Sequence, residues 1–215
     1  MNNDNMKKRK AREPSENRQQ IEARILRASE KIFASKGFSG SSMDAIADEA
    51  KLSKQNLIYY FPSKKVLYAK VLEHVLDLWI EKMHVFEEPG LSPREIMERY
   101  IKKKLQLSRD YPDASKVFAH EIINGAPVLR AHILEHAKPQ FERDVAVINS
   151  WIEQGLIKPV SPQHLFFGIW ASTQTYADFA TQIQLLLGKP SLDDSDFENA
   201  WKFISQSILE PFFTE

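Results

Sequence analysis

Apolar residues in this chain recur every three to four positions and are cut into blocks by proline and glycine, a periodicity that commits the chain to packed helices. No stretch sustains the period-2 alternation of a half-buried strand, and 7 glycines in 215 residues leave little turn material for β architecture. The fold class read from this pattern is all-α. Ile21, Ile25, Ala28 and Ile32 mark a first helix, with Gly37 placed to stop it. Two short helices follow, 43–50 and 54–61. A fourth opens after Ser63 and continues past Leu78 until Pro89 and Gly90. Further helices are predicted at 93–109, 112–123, 127–154 with an interruption at Pro139, 162–187 and 196–210.

Several classes of protein drop out early. With no cysteine, the chain has neither disulfides, nor thiolate metal sites, nor a thiol nucleophile. No apolar run reaches the roughly 18 residues that span a bilayer, and residues 1–20 lack the apolar stretch of a signal peptide, so a cytoplasmic protein without a membrane partner is expected. Net charge is zero, but the distribution is uneven. Residues 1–66 carry 14 Lys and Arg against 8 Asp and Glu, and the remainder carries 15 against 21. A basic run at Lys7, Lys8, Arg9, Lys10 and Arg12 has no apolar periodicity, so residues 1–20 are expected to be a flexible arm, ahead of a head at 21–66 and a body at 67–215.

Two short helices joined by a turn form a helix-turn-helix, in which the second enters a DNA major groove. Its exposed positions carry suitable chemistry. Gln55 and Asn56 can pair with base edges, Lys54 can reach guanine or phosphate, and Tyr59 and Tyr60 can donate to phosphate oxygens. Ser42 and Ser63 sit where helix N-termini would meet the backbone, with Lys64 beside one of them. The same pattern also fits a helical hairpin with a merely solvated face. Residues 21–67, above all FASKGFSGSSMDAIADEAKLSKQNLIYYFPSKKVLY, resemble the DNA-binding domain of the TetR family of bacterial transcriptional regulators. The resemblance implies that Lys54, Gln55, Asn56 and Tyr59 face bases or phosphate, while Tyr60, Lys64 and the Ser42 end of the second helix hold the backbone. Two positions depart from the family pattern. Lys51 stands where the turn usually has glycine, and Ile58 where many members have tyrosine.

The body is most informative at LFFGIWASTQTYADFA, residues 165–180. Leu165, Ile169, Ser172, Tyr176 and Phe179 share one helical face, and Trp170, Gln174, Ala177, Asp178 and Thr181 another. An indole, a carboxamide and a carboxylate one turn apart in so apolar a helix imply an internal polar network or a ligand site. SRDYPDASKVFAHEIINGAPVL (108–129) and SPQHLFFGIWASTQTYADFA (161–180), with LDLWI around Trp79, resemble the branch of the TetR family that regulates pyrimidine utilisation. The resemblance implies uracil or thymine as effector, with Trp79, Trp170 and Gln174 as principal contacts, Phe118 as a wall, and Tyr176 or Asp178 fixing Gln174. A different small planar effector, or DNA binding without any effector, stays open.

Phe166, Phe167, Ile169, Tyr176 and Phe179, with Phe197, Trp201, Ile204 and Ile208, exceed what a small body buries within itself, so a homodimer through the two C-terminal helices and a palindromic operator are expected. His132 and His136 lie four apart on a helix, but no third ligand is evident, and no cofactor or metal is expected. No phosphate loop, nucleophile elbow or paired-carboxylate arrangement stands out, so the expectation is a non-enzyme.

Overall fold

The computed structural model describes residues 16–86 and 90–213, and all regular structure among them is helical. The basic run at residues 7–12 and the expected break at Pro89 lie outside the described residues. Residues 16–20, expected in the arm, instead open α1 (Glu16–Gly40). Gly37 interrupts α1 at φ 66°, ψ 176°, a conformation that side chains with a Cβ avoid.

α2 (Met43–Glu49) packs on α1 and α3 (Lys54–Tyr60) on α2, burying Ile46, Ala47 and Leu57 in the core that also holds Ile25 and Phe33. Lys51, between them, takes φ 54°. Its N–H donates to the Asp48 carbonyl and that of Leu52 to Ala47, the two bonds of a Schellman cap with lysine where glycine is preferred. Lys51→Gly is therefore expected to stabilise the protein by about 1 kcal/mol, read as a rise of roughly 2–4 °C in thermal midpoint.

α4 (Lys64–Lys82) carries Leu67 at the head and Val75 and Trp79 into the body, so one rigid element crosses the predicted boundary at 66/67. α5 (Pro93–Asp110) lies at the centre of the body against α9 (Pro162–Asp178) and α11 (Asp194–Leu209), burying Met97, Tyr100, Ile101, Phe166, Ile169 and Ile204. α6 (Pro112–Ile123) spans α1, α4 and α9. On that seam Glu30 of α1 is held at a pKa of about 7, first by burial and then by Asp113 of α6, with Arg27 opposing. A carboxyl whose pKa is raised by folding stabilises the fold only while protonated, and the contribution fades as pH rises from 4.5 through 7. Glu30→Gln should thus stabilise by on the order of 1–2 kcal/mol at pH 8, after allowance for partial exposure, and change little at pH 4.5. Melting curves at both pH values test this.

Two predicted helices are corrected. The 127–154 segment is interrupted before Pro139 rather than at it: α7 (Arg130–His132) passes through a π-helical turn, Ile133–Ala137, into α8 (Lys138–Glu153). Proline cannot donate to the carbonyl four residues back and crowds it, and the wider turn, in which Lys138 N–H reaches Ile133, relieves both problems. The 162–187 segment breaks at Phe179 (φ −113°, ψ 23°) into α9 and α10 (Ala180–Leu187), the latter ending at Gly188 in the left-handed region.

The residues expected at a dimer seam divide between core and surface of the single chain. Phe166, Ile169 and Ile204 belong to the internal core, and Tyr176, Phe197, Trp201 and Ile208 pack half-buried against it. Phe167 and Phe179 of the expected set are exposed, and so are Phe203 and Leu185, Leu186 and Leu187 of α10, with Leu186 79% exposed.

Candidate DNA-binding head and effector cluster

In the head, α2 and α3 begin with side-chain caps, Ser42 Oγ accepting from Ala45 N–H at 3.1 Å and Ser53 Oγ from Asn56 N–H at 3.2 Å. Leu57 is fully buried and fixes the roll of α3, which leaves Gln55, Asn56, Ile58 and Tyr59 facing outward, Tyr59 at 73% exposure. Tyr60 is half-buried, edge-on to Tyr59 at 5.3 Å and beneath the Arg18 guanidinium. Ser42 thus caps α2, and Lys54, Gln55, Asn56, Tyr59 and Tyr60 all lie on α3, the first four of these five exposed.

Two lysines behave differently from the expectation. Lys54 Nζ bonds Asp44 Oδ2 at 2.9 Å. That pair is exposed, and exposed pairs contribute at most about 1 kcal/mol, so phosphate can displace the carboxylate. Lys64 is engaged within the protein. Its Nζ donates to the carbonyls of Phe38 (2.7 Å) and Ser41 (2.8 Å) and lies 4.5 Å from the Phe38 ring centroid, tying α4 to the turn that leads into α2.

In the body the expected effector residues separate into groups. Trp79 of α4 and Phe118 of α6 pack edge to face at 4.7 Å, and Lys104 of α5 places Nζ 5.2 Å from the Trp79 ring centroid. Asp178, at the end of α9, accepts from Ser115 Oγ of α6 at 2.6 Å. Burial raises the Asp178 pKa, with Ser115, Lys104, Lys116 and His120 pulling it back. Trp170 sits elsewhere, among Phe141, Phe166 and Phe167, with Nε1 donating to Tyr100 OH at 2.7 Å. Its indole N–H is already satisfied, so only its half-buried ring remains to offer. Tyr176 packs on Phe197 of α11. Neither Tyr176 nor Asp178 fixes Gln174, whose half-buried side chain makes no hydrogen bond among the described residues.

Two groups in the Trp79 cluster stand unsatisfied. Trp79 Nε1 is buried with no acceptor, an omission that costs about 1–3 kcal/mol. Lys104 is 7% exposed and makes no hydrogen bond among the described residues; burial lowers its pKa to about 8 against the pull of Asp178. Sequence reasoning passed over Lys104 as one of three consecutive lysines. Its helical phase carried the signal, because it continues the Met97, Tyr100, Ile101 stripe by one turn. The cluster joins an indole and a phenyl ring to two donors that lack acceptors, the chemistry that a flat ring with acceptor atoms would match.

His132 and His136 have rings 4.3 Å apart, but His132 Nε2 is taken up by Asp77 Oδ1 at 2.7 Å, and no group of three ligating side chains occurs among the described residues. No helix among the described residues is long and apolar enough to cross a membrane.

Comparison with known proteins agrees with this anatomy. Residues 25–71 match the family described as bacterial regulatory proteins, tetR family, and residues 72–214 match "YcdC-like protein, C-terminal region". The HTH-type transcriptional regulator RutR of Escherichia coli K12 is 40% identical over 186 residues, 86% of this chain and 87% of that protein. Among solved structures, the ketosteroid transcriptional regulator KstR2 of Mycobacterium tuberculosis has a TM-score of 0.70 at 17% identity, covering 90% of this chain and 95% of that one. A putative regulator of Streptomyces coelicolor, SCO4942, gives 0.67 at 21%, covering 89% and 98%.

Proposed function

The chain belongs to the TetR family of bacterial transcriptional regulators, and from that membership we propose that it is a pyrimidine-responsive regulator whose operator affinity falls when uracil or thymine occupies the body. One observation carries the effector reading. The Trp79 indole N–H is buried without an acceptor, its ring packs on Phe118, and the ammonium of Lys104, a residue only 7% exposed, lies 5.2 Å from the same indole's centroid with no hydrogen-bond acceptor among the described residues. A pyrimidinedione supplies what they lack: two carbonyl oxygens in the plane of a ring that stacks. Gln174, with no side-chain partner, can meet the alternating N–H and C=O edge of the same ring. The similarity to RutR along most of both chains supports the same assignment. Trp170 contributes the face of its ring only, and Asp178 acts by holding charge near Lys104.

In this reading residues 21–66 are the DNA-binding head and 67–215 the effector and dimerisation body. Two heads on a homodimer meet two half-sites of a palindromic operator through Gln55, Asn56 and Tyr59. The second copy covers the apolar side chains left bare on α9, α10 and α11, whose exposure alone would favour association. A ligand that prefers the DNA-incompetent arrangement weakens DNA binding by the factor by which DNA weakens the ligand.

The test is fluorescence anisotropy of a labelled fragment from upstream of the protein's own gene, with and without excess uracil, at two salt concentrations. Tight, salt-sensitive binding relieved by uracil supports the reading. Binding indifferent to uracil and thymine, together with no heat of uracil binding to the protein alone, removes the pyrimidine assignment.

A further inference from the structure

Lys51, in the turn between α2 and α3, holds φ at 54°, a region where a side chain with a Cβ is strained and glycine is preferred. The turn is fixed from within. The Lys51 N–H donates to the Asp48 carbonyl at 3.0 Å, the Leu52 N–H donates to the Ala47 carbonyl at 2.9 Å, and the Leu52 side chain packs against the core. Lys51 itself is exposed.

No side-chain contact within the chain offsets this strain. The Lys51 ammonium makes no hydrogen bond or ion pair among the described residues. Other lysines near α2 do: Lys31 Nζ lies 2.7 Å from Glu49 Oε1, and Lys54 Nζ 2.9 Å from Asp44 Oδ2. Asp48, exposed and three residues before Lys51, is not paired with it, so the lysine is not there to neutralise the acidic helix. Its distinction is its place. Lys51 stands two residues before Ser53, the cap of α3, and three before Lys54, so a long cationic side chain leaves the protein beside the helix read as entering the groove. The strands that wall a major groove present phosphates, to which a lysine is suited as a point charge. Strained residues persist where function uses them.

We propose that Lys51 is a DNA-phosphate contact made from the turn of the helix-turn-helix, and that this contact is what a strained lysine supplies where glycine would fold more easily. The statement rests on the head being the DNA-binding part of the chain and is independent of the effector. A phosphate contact carries no sequence information, so Lys51 adds the same factor to the operator and to any other duplex. It also releases counterions. Each such contact adds about 0.9 to the slope of log affinity against log salt, so a fourfold rise in salt costs one contact about 3.5-fold in affinity and the two contacts of a homodimer about twelvefold.

Three full-length variants separate charge from strain: Lys51→Gly removes both, Lys51→Gln removes the charge alone, and Lys51→Arg keeps both. Each is melted thermally and titrated by anisotropy, at about 50 and about 200 mM salt, against two labelled duplexes. One is an operator that the parent protein selects from a random pool, the other an unrelated sequence of equal length. Lys51→Gly and Lys51→Gln are expected to bind both duplexes about threefold to tenfold more weakly at the lower salt, by equal factors, with a salt slope reduced by about 1 per contact, while Lys51→Arg stays within about twofold of the parent. Lys51→Gly should melt above the parent and Lys51→Gln should not. A folded Lys51→Gln protein with parental affinity and slope overturns the proposal and leaves a lysine that the turn tolerates. A loss confined to the operator overturns it too, since that marks a base contact. If Lys51→Gly melts no higher than the parent, the turn is unstrained and the second half of the proposal falls. A parent protein that enriches no sequence and binds neither duplex refutes the DNA-binding head, and the proposal with it.

Discussion

Gln55→Ala is expected to weaken operator binding at least about tenfold, and far more if both half-sites of a dimer lose the contact, because a bidentate pairing with a base edge is worth roughly 1–3 kcal/mol. Gln55 is exposed on a helix whose inner side is fixed by Leu57, so truncation removes a contact without disturbing the core. The loss should be selective. Preference for one base position relaxes, whereas Tyr59→Phe, which removes a hydroxyl directed at phosphate, weakens binding evenly across sequences. Anisotropy titrations against the operator and single-base variants separate the two. Uracil affinity is expected to be unchanged in both variants; its loss on Gln55→Ala would mean that the two functions have been assigned to the wrong ends of the chain.

Lys104→Met should raise stability and destroy effector response together. Burial depresses the Lys104 pKa to about 8, with Asp178 opposing. A lysine whose pKa is lowered by folding penalises the fold at every pH below that value, because the unfolded chain binds the proton more tightly. At pH 7 the penalty is on the order of 2–3 kcal/mol, and methionine fills the same space without it. The melting temperature of Lys104→Met is therefore expected to rise at pH 7, with a smaller gain at pH 10. Uracil affinity should fall at least tenfold with the loss of a charged donor. A stabilised protein that still responds to uracil would leave Lys104 as mere buried charge. A destabilised one would mean that Asp178 depends on the ammonium more than the fold suffers from it.

The head was legible in the sequence to the level of individual caps. Ser42, Ser53 and Ser63 each accept from the backbone N–H three residues on, and Lys51 adopts the positive φ that its place in the turn demanded, whereas Gly37 kinks α1 at positive φ without ending it. These features depend on neighbours within about one turn, where spacing and side-chain chemistry already fix the outcome. The apolar phase of each long helix was readable for the same reason. It was also there to be read for Lys104, whose burial follows from the stripe it continues.

The helical class, most helix limits, the helix-turn-helix and its outward-facing Gln55, Asn56 and Tyr59 thus follow from the order of residues alone. Tertiary structure alone decided which side chains meet. Trp79 and Trp170, joined in one expected site, fall into separate aromatic groups, and Asp178 turns to Ser115, 63 residues away, rather than to Gln174 one turn back. Lys64 folds inward onto carbonyls 23 and 26 residues earlier, and Glu121 reaches Tyr68 across 53. Local periodicity states which face of a helix is buried, but the partner it finds there is set by how helices distant in sequence pack. Close packing allows only a few arrangements of those faces, and each hydrogen bond between them exists only in the arrangement that wins.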